Sequence, residues 1–199
     1  MSDHHEHPEI DLSQFYVLPR QEITLPDIDN KGGWILDVGG GGEGIIGLLK
    51  GRDVVAIDML MEELTETTND ALKVVMDAKD LQFIDESFTV ATVYFTFMYI
   101  PEDDFETILK ELWRVLKPGG EVLIWDVVLR IPPEEQDKNK FVIILKTTFP
   151  SGLENETGYG GKLREQDADS ILKPALKVGF KLLEQRIDEY QYFVKLRKP

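Results

Sequence analysis

The stretch Trp34–Asp58, WILDVGGGGEGIIGLLKGRDVVAID, decides the fold. Trp34 to Val38 is an apolar run with the character of a buried strand, and the glycine-packed turn Gly39 to Gly44 follows it directly. Ile45 to Lys50 then reads as a short helix, and Val54 to Ile57 as a second buried strand that ends on Asp58. A Cβ in such a turn either strains the backbone or holds a ligand away from it, so glycine here points to main chain approaching something closely. The helix that follows aims its free N–H groups at the same spot, and an aspartate at the tip of the neighbouring strand is within reach of a ribose. The reading is a nucleoside-type cofactor site.

Two ligands compete for it. Gly39-x-Gly41-x-x-Gly44 satisfies the dinucleotide pattern, but Asp37 stands two residues before Gly39, close to where a pyrophosphate would lie. A carboxylate there repels phosphate and attracts the ammonium and sulfonium of S-adenosylmethionine, which places that ligand ahead of NAD.

Four segments in order carry a family resemblance. ILDVGGGG resembles motif I of the class I S-adenosylmethionine-dependent methyltransferases, VVAID their acidic second-strand motif, VVMDAKDLQFIDESF their adenine-side segment and LKPGGEVLIWD their post-strand-5 motif. The match runs from about Gly33 to Asp126. It departs at Glu43, where the third glycine of GxGxG usually falls, and at Gln82, which replaces a proline. The resemblance implies an α/β, Rossmann-like, doubly wound sheet of seven strands, mostly parallel with an antiparallel closing strand, in the order 3-2-1-4-5-7-6. It also implies in-line transfer of a methyl group to a small-molecule acceptor, with S-adenosyl-L-homocysteine as product. Asp58, with Met59 beside it, takes the ribose hydroxyls. Asp77 and the Ala78 amide take the adenine, Asp37 with Gly39, Gly40 and Gly41 the methionine end, and Phe95 and Thr96 border the cofactor. Tyr16 belongs to an N-terminal segment that either packs on the core or closes over the cofactor. Tyr99, Trp125, Phe141 and Tyr159 are candidates for the acceptor wall. Such a reaction depends on holding nucleophile, carbon and sulfur in line, so no catalytic triad is required and no general base is singled out.

Composition narrows the alternatives. A chain of 199 residues, 42% hydrophobic and 30% charged, is expected to form one globular domain with a substantial core. The absence of cysteine excludes disulfides, thiolate nucleophiles and cysteine-type zinc sites. All three histidines, His4, His5 and His7, lie in the polar start of the chain, which leaves no core histidine as base or metal ligand. No apolar run approaches the roughly 20 residues of a membrane span, and MSDHHEHPE is no signal peptide, so a cytoplasmic location is expected. A net charge of −15 opposes binding to phosphate backbones and anionic lipids, and Lys195, Arg197 and Lys198 make no basic patch. Two further functional classes stay open: a non-catalytic sensor or partner subunit that binds the cofactor without consuming it, and a nicotinamide-dependent oxidoreductase.

Along the chain, residues 1–9 are expected to be a disordered tail and 10–32 a cap segment. Met59 to Asn69 reads as a helix, Leu72 to Met76 and Phe88 to Phe97 as strands, and Pro101 to Leu116 as an amphipathic helix with Phe105, Ile108, Leu109 and Leu112 inward. Val122 to Val127 returns as a strand. Residues 127–161 read as an inserted arm, with Val127–Ile131 and Lys140–Phe149 as its two strands and Pro150–Gly161 as a flexible loop. A helix over Leu163–Val178, interrupted by Pro174, and an antiparallel pair, Phe180–Ile187 and Tyr190–Arg197, close the domain.

Overall fold

The structure, a computed structural model, describes residues 12–199. The tail expected over residues 1–9 and its three histidines lie outside the described residues. Two short strands, β1 (Phe15–Val17) and β2 (Gln21–Thr24), come first, followed by β3 (Trp34–Val38), α1 (Ile45–Lys50) and β4 (Val54–Asp58). Next are α2 (Met61–Glu66), β5 (Leu72–Val75), β6 (Phe88–Tyr94), α3 (Phe105–Val115) and β7 (Leu116–Val127). The chain ends with β8 (Lys140–Thr148), β9 (Glu154–Lys162), α4 (Ala168–Val178), β10 (Lys181–Ile187) and β11 (Gln191–Arg197).

Seven strands make the main sheet in the order β10-β11-β7-β6-β3-β4-β5. Numbered within the sheet alone, from the β5 edge, that order is 3-2-1-4-5-7-6. β5, β4, β3, β6 and β7 run parallel, and β11 inserts antiparallel between β7 and β10. Parallel strands are covered on both faces, which is why these segments read as near-continuous apolar runs. Alternation along each strand divides the side chains between two cores. Val122, Ile124 and Val128 join the core under α3 and α4, whereas Leu123, Trp125 and Val127 join the opposite one. α3 lays Phe105, Ile108, Leu109, Leu112 and Val115 on the first core, as its periodicity predicts. α4 starts on Asp167, whose carboxylate accepts from the Asp169 and Ser170 amides, and ends on Gly179 at φ 119°; it runs through Pro174 without a break.

Besides α4, which begins at Ala168 rather than Leu163 and is not interrupted at Pro174, two expectations need correction. α2 covers six residues rather than the eleven from Met59 to Asn69. Thr67 turns extended at its end and its hydroxyl donates to the Leu64 carbonyl, an alternative to the helical bond that threonine offers readily. The arm is built differently as well. Its hairpin pairs β8 with β9, so PSGLENETGYGG is largely strand rather than loop, and after Val127, the last residue of β7, residues 128–131 leave the sheet and make a single bridge, Leu129 to Gln166. Gly158, Gly160 and Gly161 have little intrinsic strand preference, but the neighbouring strand β8 supplies the ladder and overrides it. β9 alternates exposed and half-buried positions throughout.

β9 occupies one edge of β8 along its whole length, and β1 and β2 share the other, both parallel to β8. This small sheet lies over one face of the main sheet, where Phe141, Ile143 and Leu145 from β8 join Leu18, Ile23 and Leu25 in the second core. No helix among the described residues is long and apolar enough to cross a membrane.

Candidate active site

The carboxyl ends of β3, β4, β5 and β6 open into one cavity of about 1080 Å³. Of the residues singled out from the sequence, Asp37, Gly39, Gly40, Gly41, Asp58 and Met59 line it. So do Asp77, Ala78, Phe95, Thr96, Tyr99 and Tyr159.

Asp37 and Thr92 are register neighbours on β3 and β6, and their side chains meet on the same face: Thr92 Oγ1 donates to Asp37 Oδ1 at 2.7 Å. The Asp37 side chain is buried, which pushes its carboxyl up to about 7 against the Thr92 hydrogen bond, with the Asp58 charge adding to the rise. Asp58 Oδ1 accepts from the Leu60 amide at 2.9 Å, and Asp77 Oδ1 from the Lys79 amide at 2.9 Å, so both strand-end carboxylates are oriented by their own turns.

The glycine turn is pressed between these groups. Gly39 has φ +72°, and a Cβ on it would stand 2.3 Å from Thr96 Oγ1. A Cβ on Gly40 would come within 2.7 Å of Asp37 Oδ2, and one on Gly41 within 2.5 Å of Glu63 Cβ. Only glycine can occupy this cradle without displacing a carboxylate or the start of α2. The amides of Gly39 and Gly40 both donate to the Ile57 carbonyl, that of Gly42 to Glu63 and that of Gly44 to Gly41. These four N–H groups are spent on bracing the turn.

Selection falls instead to charge. Seven carboxylates line the cavity, those of Asp37, Glu43, Asp58, Glu63, Glu66, Asp77 and Asp104, against the lone ammonium of Lys79, itself 3.2 Å from Asp104. Burial, reinforced by Glu66, Asp58 and Glu43, pushes the Glu63 carboxyl upward. Two like charges 4 Å apart at an effective dielectric of about 20 repel by about 4 kcal/mol, so a pyrophosphate is excluded, whereas a ligand with hydroxyls and positive charge is matched.

Three singled-out residues lie elsewhere. Trp125 is buried in the second core between Tyr94 and Phe193, at ring-centroid distances of 5.9 and 4.8 Å, because its position on β7 faces that core and not the strand ends. Phe141 is fully buried in the same core under β8. Tyr16, paired with Phe141 across the β1–β8 ladder, packs on this core too, and no described residue of 12–32 lines the cavity.

Residues not singled out complete the wall. On either side of the expected Tyr159 the hairpin delivers Gly158 and Gly160 to the cavity, and Glu43 joins the hairpin to the glycine turn. Thr157 Oγ1 donates to Glu43 Oε1, and the Tyr159 hydroxyl donates to Glu43 Oε2 at 3.1 Å. A second tie, Tyr94 Oη to Thr147 Oγ1 at 2.6 Å, fixes the end of β6 to β8. The only sequence sign of this arrangement was Glu43 itself, the residue that interrupts the glycine pattern. Behind the wall, the buried Asp126 accepts from the Val127 and Met98 amides at 2.7 and 3.2 Å and from Gln166 Nε2 at 3.0 Å, which holds the turn that carries Tyr99. Burial pushes the Asp126 carboxyl up to about 7 despite these bonds.

A parallel sheet thus carries a glycine cradle after β3 and an aspartate at the end of each of β3, β4 and β5, all on one cavity. Residues 36–124, a little under half of the chain, match the family model described as a methyltransferase domain, which supports a class I S-adenosylmethionine-dependent methyltransferase domain. It is 31% identical over 112 residues to the demethylmenaquinone methyltransferase of Bacillus licheniformis, covering 55% of this chain and 47% of that protein. It is 28% identical over 86 residues to a sterol 4-C-methyltransferase of Caenorhabditis elegans, covering 43% of this chain and 25% of that protein. The chain thus spans from a quarter to about half the length of these curated relatives. Among solved structures, a S-adenosylmethionine-dependent methyltransferase from Methanosarcina mazei superposes with TM-score 0.61 at 20% identity, covering 86% of this chain and 94% of that one, a likeness of fold.

Proposed function

We propose that this protein transfers a methyl group from S-adenosylmethionine to a small-molecule acceptor. The observation that carries the reading is the excess of carboxylates around a glycine turn four of whose amides are already engaged, a lining that favours a cationic ligand. S-adenosylmethionine supplies, when bound, a methyl carbon on a positively charged sulfur. The chain's own part is to bind, orient and keep water out. Asp58 accepts from the ribose hydroxyls with Met59 alongside, Asp77 and the Ala78 amide hold the adenine, and Asp37 faces the cationic methionine end beside Gly39–Gly41. Phe95 and Thr96 close the floor of the cavity. Tyr99 and Tyr159, on the turn after β6 and on the hairpin, form the acceptor side. A cavity of about 1080 Å³ exceeds the roughly 300–1,000 Å³ typical of one ligand, which leaves room for donor and acceptor together. Support for a small acceptor comes from the relatives, named for a sterol and a quinone, and from the net charge of −15, which repels nucleic acid.

Calorimetric titration with S-adenosylhomocysteine and with NADH tests this. We expect binding of the first alone, and a loss of about tenfold or more on Asp58→Ala, since a hydrogen bond to a charged acceptor contributes about 1.5–3 kcal/mol. Tight NADH binding with no response to S-adenosylhomocysteine would refute it.

A further inference from the structure

Resting on the methyl-transfer reading, we propose that the acceptor is an amine, held as its ammonium ion by Glu43 beside the aromatic faces of Tyr99 and Tyr159, with Tyr94 and Phe95 packed behind them. All five residues line the cavity. Phe95 and Tyr159 lie parallel, with interplanar angle 1° and centroids 6.0 Å apart, and Tyr94 meets Phe95 edge-on at 5.0 Å. These contacts pack Tyr94, Phe95 and Tyr159 on one another; the cavity sides of the half-buried Tyr159 and the exposed Tyr99 are the faces that attract a cation by their quadrupoles, most strongly where water is excluded. Two of the phenols are tethered, Tyr94 by Thr147 and Tyr159 by Glu43, so their faces are fixed before any ligand arrives. Phe95 reaches its place through a left-handed backbone, φ 51°, which a bulky side chain adopts only where the surroundings enforce it.

Charge separates this wall from one built for an apolar acceptor. Burial raises the Tyr94, Tyr99 and Tyr159 hydroxyls, and Glu43 adds to each rise, so the phenols are neutral in the working range. Glu43 accepts from Thr157 and Tyr159, which leaves lone pairs of its carboxylate for a third donor. A sterol or quinone ring set against this carboxylate would leave that remaining capacity unused and shield part of its charge from water. An ammonium pairs with it, and the carboxylate offsets the repulsion between that cation and the donor's sulfonium. For transfer, the ammonium gives one proton to Glu43; its freed lone pair then takes the methyl carbon while the sulfur keeps the electron pair of the bond that breaks. One methyl group moves from sulfur to nitrogen and one proton leaves through Glu43 to solvent.

The test is calorimetry on protein saturated with S-adenosylhomocysteine, using tetramethylammonium and phenethylamine as cationic probes and 2-phenylethanol and 1-naphthol as neutral ones. Phenethylamine is expected to bind about tenfold more tightly than 2-phenylethanol, and Glu43→Gln to remove about that factor, as loss of one charge-assisted hydrogen bond predicts. Tyr99→Leu, on a half-exposed ring outside the Glu43 tether, should weaken both cations by about threefold and leave the alcohol unchanged. Should Glu43→Gln fail to fold, Tyr99→Leu alone decides. Failure of both cations to bind, tighter binding of either neutral probe, or cation affinities unmoved by the substitutions would overturn the amine assignment while leaving cofactor binding intact. A flat S-adenosylhomocysteine trace would instead remove the methyl-transfer reading and the acceptor with it.

Discussion

Replacing Asp37 by asparagine keeps the Oδ1 atom that accepts from Thr92 at 2.7 Å and removes only the charge. Burial, with Asp58 nearby, lifts this carboxyl from 3.8 to about 7 in the folded protein. Below pH 4 the group is protonated in folded and unfolded chains alike and contributes nothing to the pH dependence. Between pH 4 and 7 the folded protein retains a proton that the unfolded chain has released, so stability falls as pH rises; above 7 both are ionised and the full penalty is present. A rise of this size corresponds to about 4 kcal/mol at about 1.4 kcal/mol per unit. Asp126, lifted into the same range by burial, adds a loss of the same sign over the same window. Glu121 runs the other way: burial is outweighed by Arg197, Lys195 and Lys31, which hold it near 2, so its contribution is lost only in acid below the usual glutamate range. Urea unfolding followed by tryptophan fluorescence at pH 4, 6 and 8 measures the balance. The wild type should lose several kcal/mol between pH 4 and 8 and Asp37→Asn roughly half as much, making the variant more stable than its parent at pH 8 by up to about 4 kcal/mol and nearly equal to it at pH 4. The same variant should bind S-adenosylhomocysteine more weakly, because the charge that destabilises the empty fold is the one that meets the ligand's ammonium. Parallel stability-versus-pH curves for the two proteins would refute the reasoning.

Two further substitutions separate cavity from core. Gly39→Ala forces a Cβ onto a left-handed backbone and to within 2.3 Å of Thr96 Oγ1, a hydroxyl that donates to the Val38 and Tyr94 carbonyls. We expect a loss of at least about 1–2 kcal/mol in unfolding free energy and little remaining S-adenosylhomocysteine affinity. Phe141→Ala should cost about 3–5 kcal/mol in the same unfolding assay, yet leave that affinity within twofold in titration below the melting range, because Phe141 packs beneath the hairpin and outside the cavity.

Much of the sheet was legible because its information is local. A strand, a glycine turn, a helix and an acid-ended strand occur within 25 consecutive residues from Trp34 to Asp58, and the period of α3 is visible in Phe105, Ile108, Leu109 and Leu112. What escaped depends on distant partners. Gly158, Gly160 and Gly161 look like loop until β8 lies beside them, and Gly160 sits where a Cβ would be 2.9 Å from the Phe141 carbonyl. Trp125 and Phe141 are large aromatics near strand ends, and composition does not tell which face of its sheet each presents. That is settled by the alternation of their strands against layers formed elsewhere in the chain. Glu43 is the converse: its departure from the glycine pattern was plain, but Thr157 and Tyr159, more than a hundred residues away, give it meaning.

The acidic end of the cavity comes from tips of the large sheet, whereas Gly158, Tyr159 and Gly160 belong to one ribbon, residues 140–162, moored at Glu43 and Tyr94. The ribbon also buries Phe141, Ile143 and Leu145 in the second core, so the two parts are packed together as well as tied. Drift along the ribbon could retune which compound is methylated without touching the chemistry of the donor, and a ribbon transplanted from another protein would need to bring its own counterparts of Thr147, Thr157 and Tyr159 to moor correctly.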